Sequence, residues 1–234
     1  MGWIMRIAGL TLITLLASAA AAQARTQTGY LAMPDGSQLK YTAQIPAGTG
    51  PFPVALTFDG YAAGVSGGLA PPISGTPAEL VAHGYVALGV NVPGTGCSTG
   101  AFDFFSPDWA QDGADVVEWT AHQSWSDGKV AMIGHSFSGF ASYFAAAQRP
   151  PGLVAIAPAS TDGDFYRDTV YAGAIYNIGL ANAFLAGQQS DAVSGVLQAT
   201  AAGDTGCALN FALHLPSYVL HSTSVVTAEH PYDD

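Results

Sequence analysis

Trp125-Ser-Asp-Gly-Lys-Val-Ala-Met-Ile-Gly-His-Ser-Phe-Ser-Gly139 is the stretch on which the reading of this chain turns. Val130 to Ile133 is a short apolar run after an Asp127-Gly128 turn signal, the pattern of a buried strand. Gly134 to Gly139 follows, then an alanine- and aromatic-rich segment with the composition of a helix. A strand, a tight turn with one serine at its apex and a helix set the Ser136 hydroxyl out over the rim of a sheet. The bend is sharp, so the residues two before and two after the serine must be small, and Gly134 and Ser138 are. The Phe137 backbone N–H is then aimed where an oxyanion would form.

A Gly-x-Ser-x-Gly match alone is weak, and here Ser138 replaces its second glycine. The flanking elements carry more weight. Upstream, Tyr30 to Pro34 and Ser37 to Ile45 flank a Pro34-Asp35-Gly36 turn. Leu39, Tyr41, Ala43 and Ile45 alternate with Lys40, Thr42 and Gln44, which predicts a half-exposed antiparallel strand. Val54 to Phe58 and Tyr85 to Val92 are continuous apolar runs, hence inner strands. Thr76-Pro77-Ala78-Glu79 has an N-cap, Pro at the first helical position and Glu at the third, so a helix begins there and ends at Gly84. A second helix runs from Ser106-Pro107-Asp108 to about Gln123. Pro150-Pro151 stops the helix after Ser136, and Leu153 to Ala157 is a further strand. Strands alternating with helices predict a mostly parallel sheet with helices on both faces and an antiparallel N-terminal edge, and the serine elbow makes that sheet an α/β-hydrolase fold.

Six Lys+Arg against 17 Asp+Glu give a formal net charge of −11. That argues against nucleic acid or an anionic membrane as a partner. Residues 1–24 have the layout of a signal peptide: Arg6 in a positive start, Ile7 to Leu16 apolar, and Ala22-Gln23-Ala24 before a cleavage point. The apolar run is short for a membrane span, an uncleaved anchor being the alternative. Export to a periplasm or beyond is therefore expected. Cys97 and Cys207 are the only cysteines; an oxidising compartment would let them pair, and two isolated thiols are the other reading. No Cys/His cluster has zinc-ligand spacing. Asp162-Gly163-Asp164 reads as a turn, since it lacks the further oxygen ligands a calcium loop needs in register. No cofactor or metal is expected, and no oligomeric state can be read.

Several stretches together resemble the CocE/NonD-type serine hydrolases, the group of cocaine esterase, α-amino-acid ester hydrolases and Xaa-Pro dipeptidyl-peptidases. Pro93-Gly94-Thr95-Gly96-x-Ser98-x-Gly100 is similar to that family's Arg-Gly-x-Gly-x-Ser-x-Gly loop, with Pro93 where the family usually has Arg. Asp115 to Gly139 resembles its helix-to-elbow segment, and Pro151-Gly152-Leu153-x-Ala155-Ile156-x-Pro158 its next strand. Asp164-x-Tyr166-Arg167 and His230-Pro231-x-Asp233-Asp234 resemble later landmarks. The resemblance implies an ester or amide, including an Xaa-Pro dipeptidyl bond, cleaved through an acyl-Ser136 intermediate in a small-molecule ester or peptide substrate. It also implies a tyrosine hydroxyl in the oxyanion hole, and Tyr61 matches that position. The implied organisation is a signal peptide at 1–24, the N-terminal part of the hydrolase domain at 25–160 and a helical cap insert, cut short, at 161–234.

The mechanism needs a general base, and an acid to orient it, each after its own later strand. Nothing after Ala157 reads as two further strands. The resemblance implies that the triad acid and histidine lie beyond Asp234. His214, His221 and His230 fall in the helical segment, where surface or packing roles are expected. An Asp204–His221 pair has the right order but lacks supporting strands. His135 adjoins the nucleophile, but neighbours on a tight turn diverge. A truncated remnant that binds without catalysis is the alternative function.

Overall fold

The computed structural model describes residues 24–68, 76–103 and 106–227. Its centre is built from the apolar runs. β3 (Phe52–Asp59), β4 (Val86–Asn91), β5 (Ser126–His135) and β6 (Leu153–Ala159) lie parallel. β1 (Arg25–Ala32) and β2 (Gln38–Ile45) form an antiparallel hairpin that joins the sheet through β4. The spatial order is β1-β2-β4-β3-β5-β6. Crossovers run through α1 (Ala63–Ser66) and α2 (Pro77–Ala82), then α3 (Asp108–Ala121), then α4 (Phe137–Ala147). Parallel neighbours require such crossovers. The mostly parallel, helix-covered sheet is the α/β-hydrolase architecture the residues lead one to expect.

The order has one consequence for function. The chain leaves β3 toward β4 on one side and leaves β5 toward β6 on the other. The carboxyl ends of β3 and β5 therefore flank a topological switch point, where ligand crevices open in such sheets. The loop with Tyr61 follows β3, and the turn with Ser136 follows β5.

Val54, Leu56 and Phe58 of β3 and Val86, Leu88 and Val90 of β4 are at most 1% exposed. α3 adds Trp109, Val116 and Val117 to the same cluster, and α4 adds Phe137, Ala141 and Ala145. Burial of each large side chain contributes about 1.5–3 kcal/mol. The start of α2 is fixed as its residues predict. Thr76 Oγ1 accepts from the Glu79 N–H, and the Thr76 N–H donates to Glu79 Oε2.

β2 differs from its expected half-exposed state. Lys40 and Thr42 are buried, because later parts of the chain cover the face they occupy. The Thr42 hydroxyl donates to the Gly64 carbonyl of α1. Lys40 Nζ lies 2.6 Å from Asp204 Oδ2, just before α6 (Thr205–Thr227). β1 also begins earlier than the turn-flanking residues suggest and ends at Ala32.

Beyond β6 come a π-type turn (Tyr166–Val170), a short 3-10 turn, α5 (Ile178–Ala201) and α6. Residues 217–227 are helical despite their β-branched content. Cys97 and Cys207 are joined by a disulfide. Among the described residues no helix is long and apolar enough to cross a membrane. The signal-peptide reading, residue 24 apart, and the His230-Pro231-x-Asp233-Asp234 landmark lie outside the described residues, as does the His221 side chain.

Candidate active site

Ser136 sits between β5 and α4 with φ 55° and ψ −117°. A non-glycine residue in that region costs on the order of 1–3 kcal/mol and persists only where its surroundings impose it. Two hydrogen bonds and one steric limit impose it here. The Ser136 N–H donates to the Ala159 carbonyl at the end of β6, and its carbonyl accepts from the Phe140 N–H. A Cβ on Gly134 would overlap Ser138, so only glycine allows the turn to close. Ser138, which stands for the second glycine of the motif, fastens the bend. Its hydroxyl donates to the His135 carbonyl and accepts from the His135 N–H.

Phe137 opens α4, so its N–H belongs to the first-turn donors that a helix N-terminus presents. Its ring lies 5.6 Å from that of Tyr61 and 4.6 Å from that of Trp109. The structure thus brings Tyr61 beside the residue that follows Ser136. Ser136 itself is half-buried.

The Tyr61 loop is held from beneath by two polar residues that end apolar strands. Asp59, the last of β3, and Asn91, the last of β4, are register partners. Asp59 Oδ1 accepts from the Tyr61 and Ala63 N–H groups, at 3.0 and 3.3 Å. Asn91 Nδ2 donates to the carbonyls of Asp59 and Tyr61, at 3.2 and 3.1 Å. Asn91 Oδ1 accepts from the Gly64 N–H at 3.1 Å. A side chain on Gly64 would collide with the Lys40 carbonyl and with this amide. Sequence reading did not single out Asp59, Asn91 or the bonding role of Ser138. The available signal was position: two polar residues close unbroken apolar runs at the carboxyl edge of the sheet.

Of the late residues weighed as a base, His214 and Asp204 are engaged in other contacts. His214 is buried, with Nδ1 3.0 Å from the Ser98 carbonyl, and burial holds its pKa below the ordinary value. Asp204 receives Lys40 and the Tyr30 hydroxyl and accepts from the Cys207 N–H. Burial works against its charge, but the bonds from Lys40 and Tyr30 outweigh that and lower its pKa. Ser136 Oγ forms no hydrogen bond among the described residues. Asp162 and Asp164 bind Thr169 and Arg167 within one local turn. Among the described residues no group of three or more His, Cys, Asp or Glu is placed to hold a metal ion.

A profile of the X-Pro dipeptidyl-peptidase (S15) family matches residues 35–214. A Mycobacterium bovis protein assigned as a serine esterase is 35% identical over 99 residues, which are 42% of this chain and 16% of that protein. Cocaine esterase of Rhodococcus sp. is 33% identical over 145 residues, 59% of this chain and 24% of the enzyme. The matched part therefore spans no more than a quarter of these curated relatives. Among solved structures, a CocE/NonD family hydrolase from Staphylococcus aureus aligns with a TM-score of 0.63 and 26% identity. That alignment covers 74% of this chain and 34% of that one. An α-amino-acid ester hydrolase aligns with a TM-score of 0.53 and 28% identity, over 68% of this chain and 30% of that one.

Proposed function

The chain belongs to the X-Pro dipeptidyl-peptidase (S15) family, and from that premise we propose that it carries the nucleophile half of a CocE/NonD-type serine hydrolase. Ser136 attacks the carbonyl of an ester or amide in a small-molecule or peptide substrate; the C–O or C–N bond breaks, the alcohol or amine leaves with the serine proton, and water then hydrolyses the acyl-serine, releasing the acid and restoring the hydroxyl. The Phe137 N–H and the Tyr61 hydroxyl donate to the oxyanion, each such donor being worth on the order of 100- to 1,000-fold in rate. The observation that carries the reading is the backbone of Ser136, held at φ 55° at the switch point of the sheet. The helical segment from residue 161 acts as part of a cap. The leader at 1–24 directs export, which suits the Cys97–Cys207 disulfide.

Asp204 and His214 are committed to other contacts, and this favours a second reading, a chain that binds ligand without turnover. A triad without its base keeps only the residual rate of its oxyanion hole and binding. Labelling of the purified chain by a fluorophosphonate separates the two. Labelling that disappears in Ser136→Ala supports the hydrolase. No labelling of a folded sample favours the binding-only chain, and labelling that survives Ser136→Ala removes Ser136 as nucleophile.

A further inference from the structure

We propose that Asn91 is a positioning residue of the oxyanion site: its buried carboxamide clamps the loop that presents Tyr61, and it acts on the reaction only through that tyrosine. The inference rests on Ser136 and Tyr61 having the roles just given.

Asn91 is 0% exposed and ends β4, one strand away from the one that leads into Tyr61. Its amide makes three hydrogen bonds, all to the 59–64 segment. Nδ2 bridges the carbonyls of Asp59 and Tyr61, and Oδ1 takes the Gly64 N–H. The three span both sides of Tyr61, so the backbone around that residue is fixed at its near and far ends. A carboxamide suits the place because it offers two donors and an acceptor from one planar group. A carboxylate would offer only acceptors, and two of its neighbours are carbonyl oxygens. The Asn91 backbone carbonyl accepts from the Ser98 hydroxyl. The Ser98 hydroxyl also accepts from the Lys40 N–H. The clamp is therefore seated in the β2–β4 part of the sheet, not in the loop it holds. A group that donates to a developing oxyanion must already be in place when charge appears, and a displacement of about 1 Å costs on the order of 100-fold. Asn91 supplies that placement without reaching the reacting atoms.

The test is a double-mutant cycle on the rate of fluorophosphonate labelling, with affinity and maximal rate separated. Asn91→Ala lowers the maximal labelling rate about 10- to 100-fold and leaves the affinity for the probe within about twofold. In a Tyr61→Phe background the same change has little further effect, because the hydroxyl it positions is gone. Asn91→Asp, of equal size, behaves like the alanine variant. Thr95→Ala, which removes a buried hydroxyl from the Val92 carbonyl nearby, controls for general loosening and labels at the unmodified rate. Additive losses at Asn91 and Tyr61, or an Asn91→Ala chain that labels normally, would overturn the proposal. If the unmodified chain does not label, the Ser136 reading has failed, and the clamp is judged by amide hydrogen exchange. Faster exchange at Tyr61, Ala63 and Gly64 in Asn91→Ala upholds it, and unchanged exchange there overturns it.

Discussion

Between β3 and α4 most of the large apolar side chains join one buried cluster, whereas Leu197 of α5 and Leu209 and Leu213 of α6 stand 61–70% exposed. The first region is held by contact among many apolar groups. The second meets the sheet side through one small apolar patch, where Val196 and Ala199 pack with Tyr30 and Val65, and otherwise at a few points: the Cys97–Cys207 disulfide, the Lys40–Asp204–Tyr30 cluster, the Asn210 side chain on the Cys97 carbonyl and His214 on the Ser98 carbonyl. Non-directional packing spreads the cost of any change over many neighbours. Point attachments concentrate it. The helical pair is therefore expected to part from the sheet before the sheet itself melts.

Four measurements press on that contrast. Replacing Cys97 and Cys207 together with serine frees a cross-link across a sequence separation of 110 residues. The expected loss is about 4–5 kcal/mol, with amide exchange accelerating around Asn210–His214 while β4 stays protected. Uniform acceleration across both regions would break the contrast. Phe58→Ala empties a site that is 0% exposed and should cost about 4 kcal/mol. Here urea unfolding should show both regions lost in one transition. Asp204→Ala strands the Lys40 ammonium, whose side chain is 5% exposed, at a cost of about 3 kcal/mol. Lys40→Met combined with Asp204→Leu should recover most of that loss.

The smallest effect lies on the sheet side. Burial first, then the charges of Asp35, Asp108 and Asp115, raise the Asp112 pKa from 3.8 to about 6. The folded state thus binds that proton more tightly than the unfolded one. Its favourable contribution is complete below about pH 4 and fades as pH rises to about 6, above which the charged group opposes folding. Asp112→Asn should raise stability at pH 8 by about 1 kcal/mol, a figure discounted for solvent screening, and should gain nothing at pH 4. A gain independent of pH would point to packing instead.

The two regions also differ in how well their residues announce them. The elbow, the capping box at Thr76–Glu79 and the inner strands were legible because each follows from local pattern: an apolar run, a small residue at a bend, a polar residue three before a glutamate. The alternation in β2 was legible too, yet it misled about Lys40 and Thr42. Their cover arrives from Asp204 and Gly64, residues that no local window includes. The same holds for Asn91, an ordinary asparagine in the sequence that becomes a clamp only when β3 and β4 lie side by side. Family resemblance supplied Tyr61, and the fold puts its ring against Phe137.

The backbone at Ser136 sets the terms on which this chain can change. Glycine would rest more easily at φ 55°, so selection for robustness alone would favour dropping the hydroxyl. A lineage released from chemistry therefore has a downhill route to a sturdier molecule without that hydroxyl.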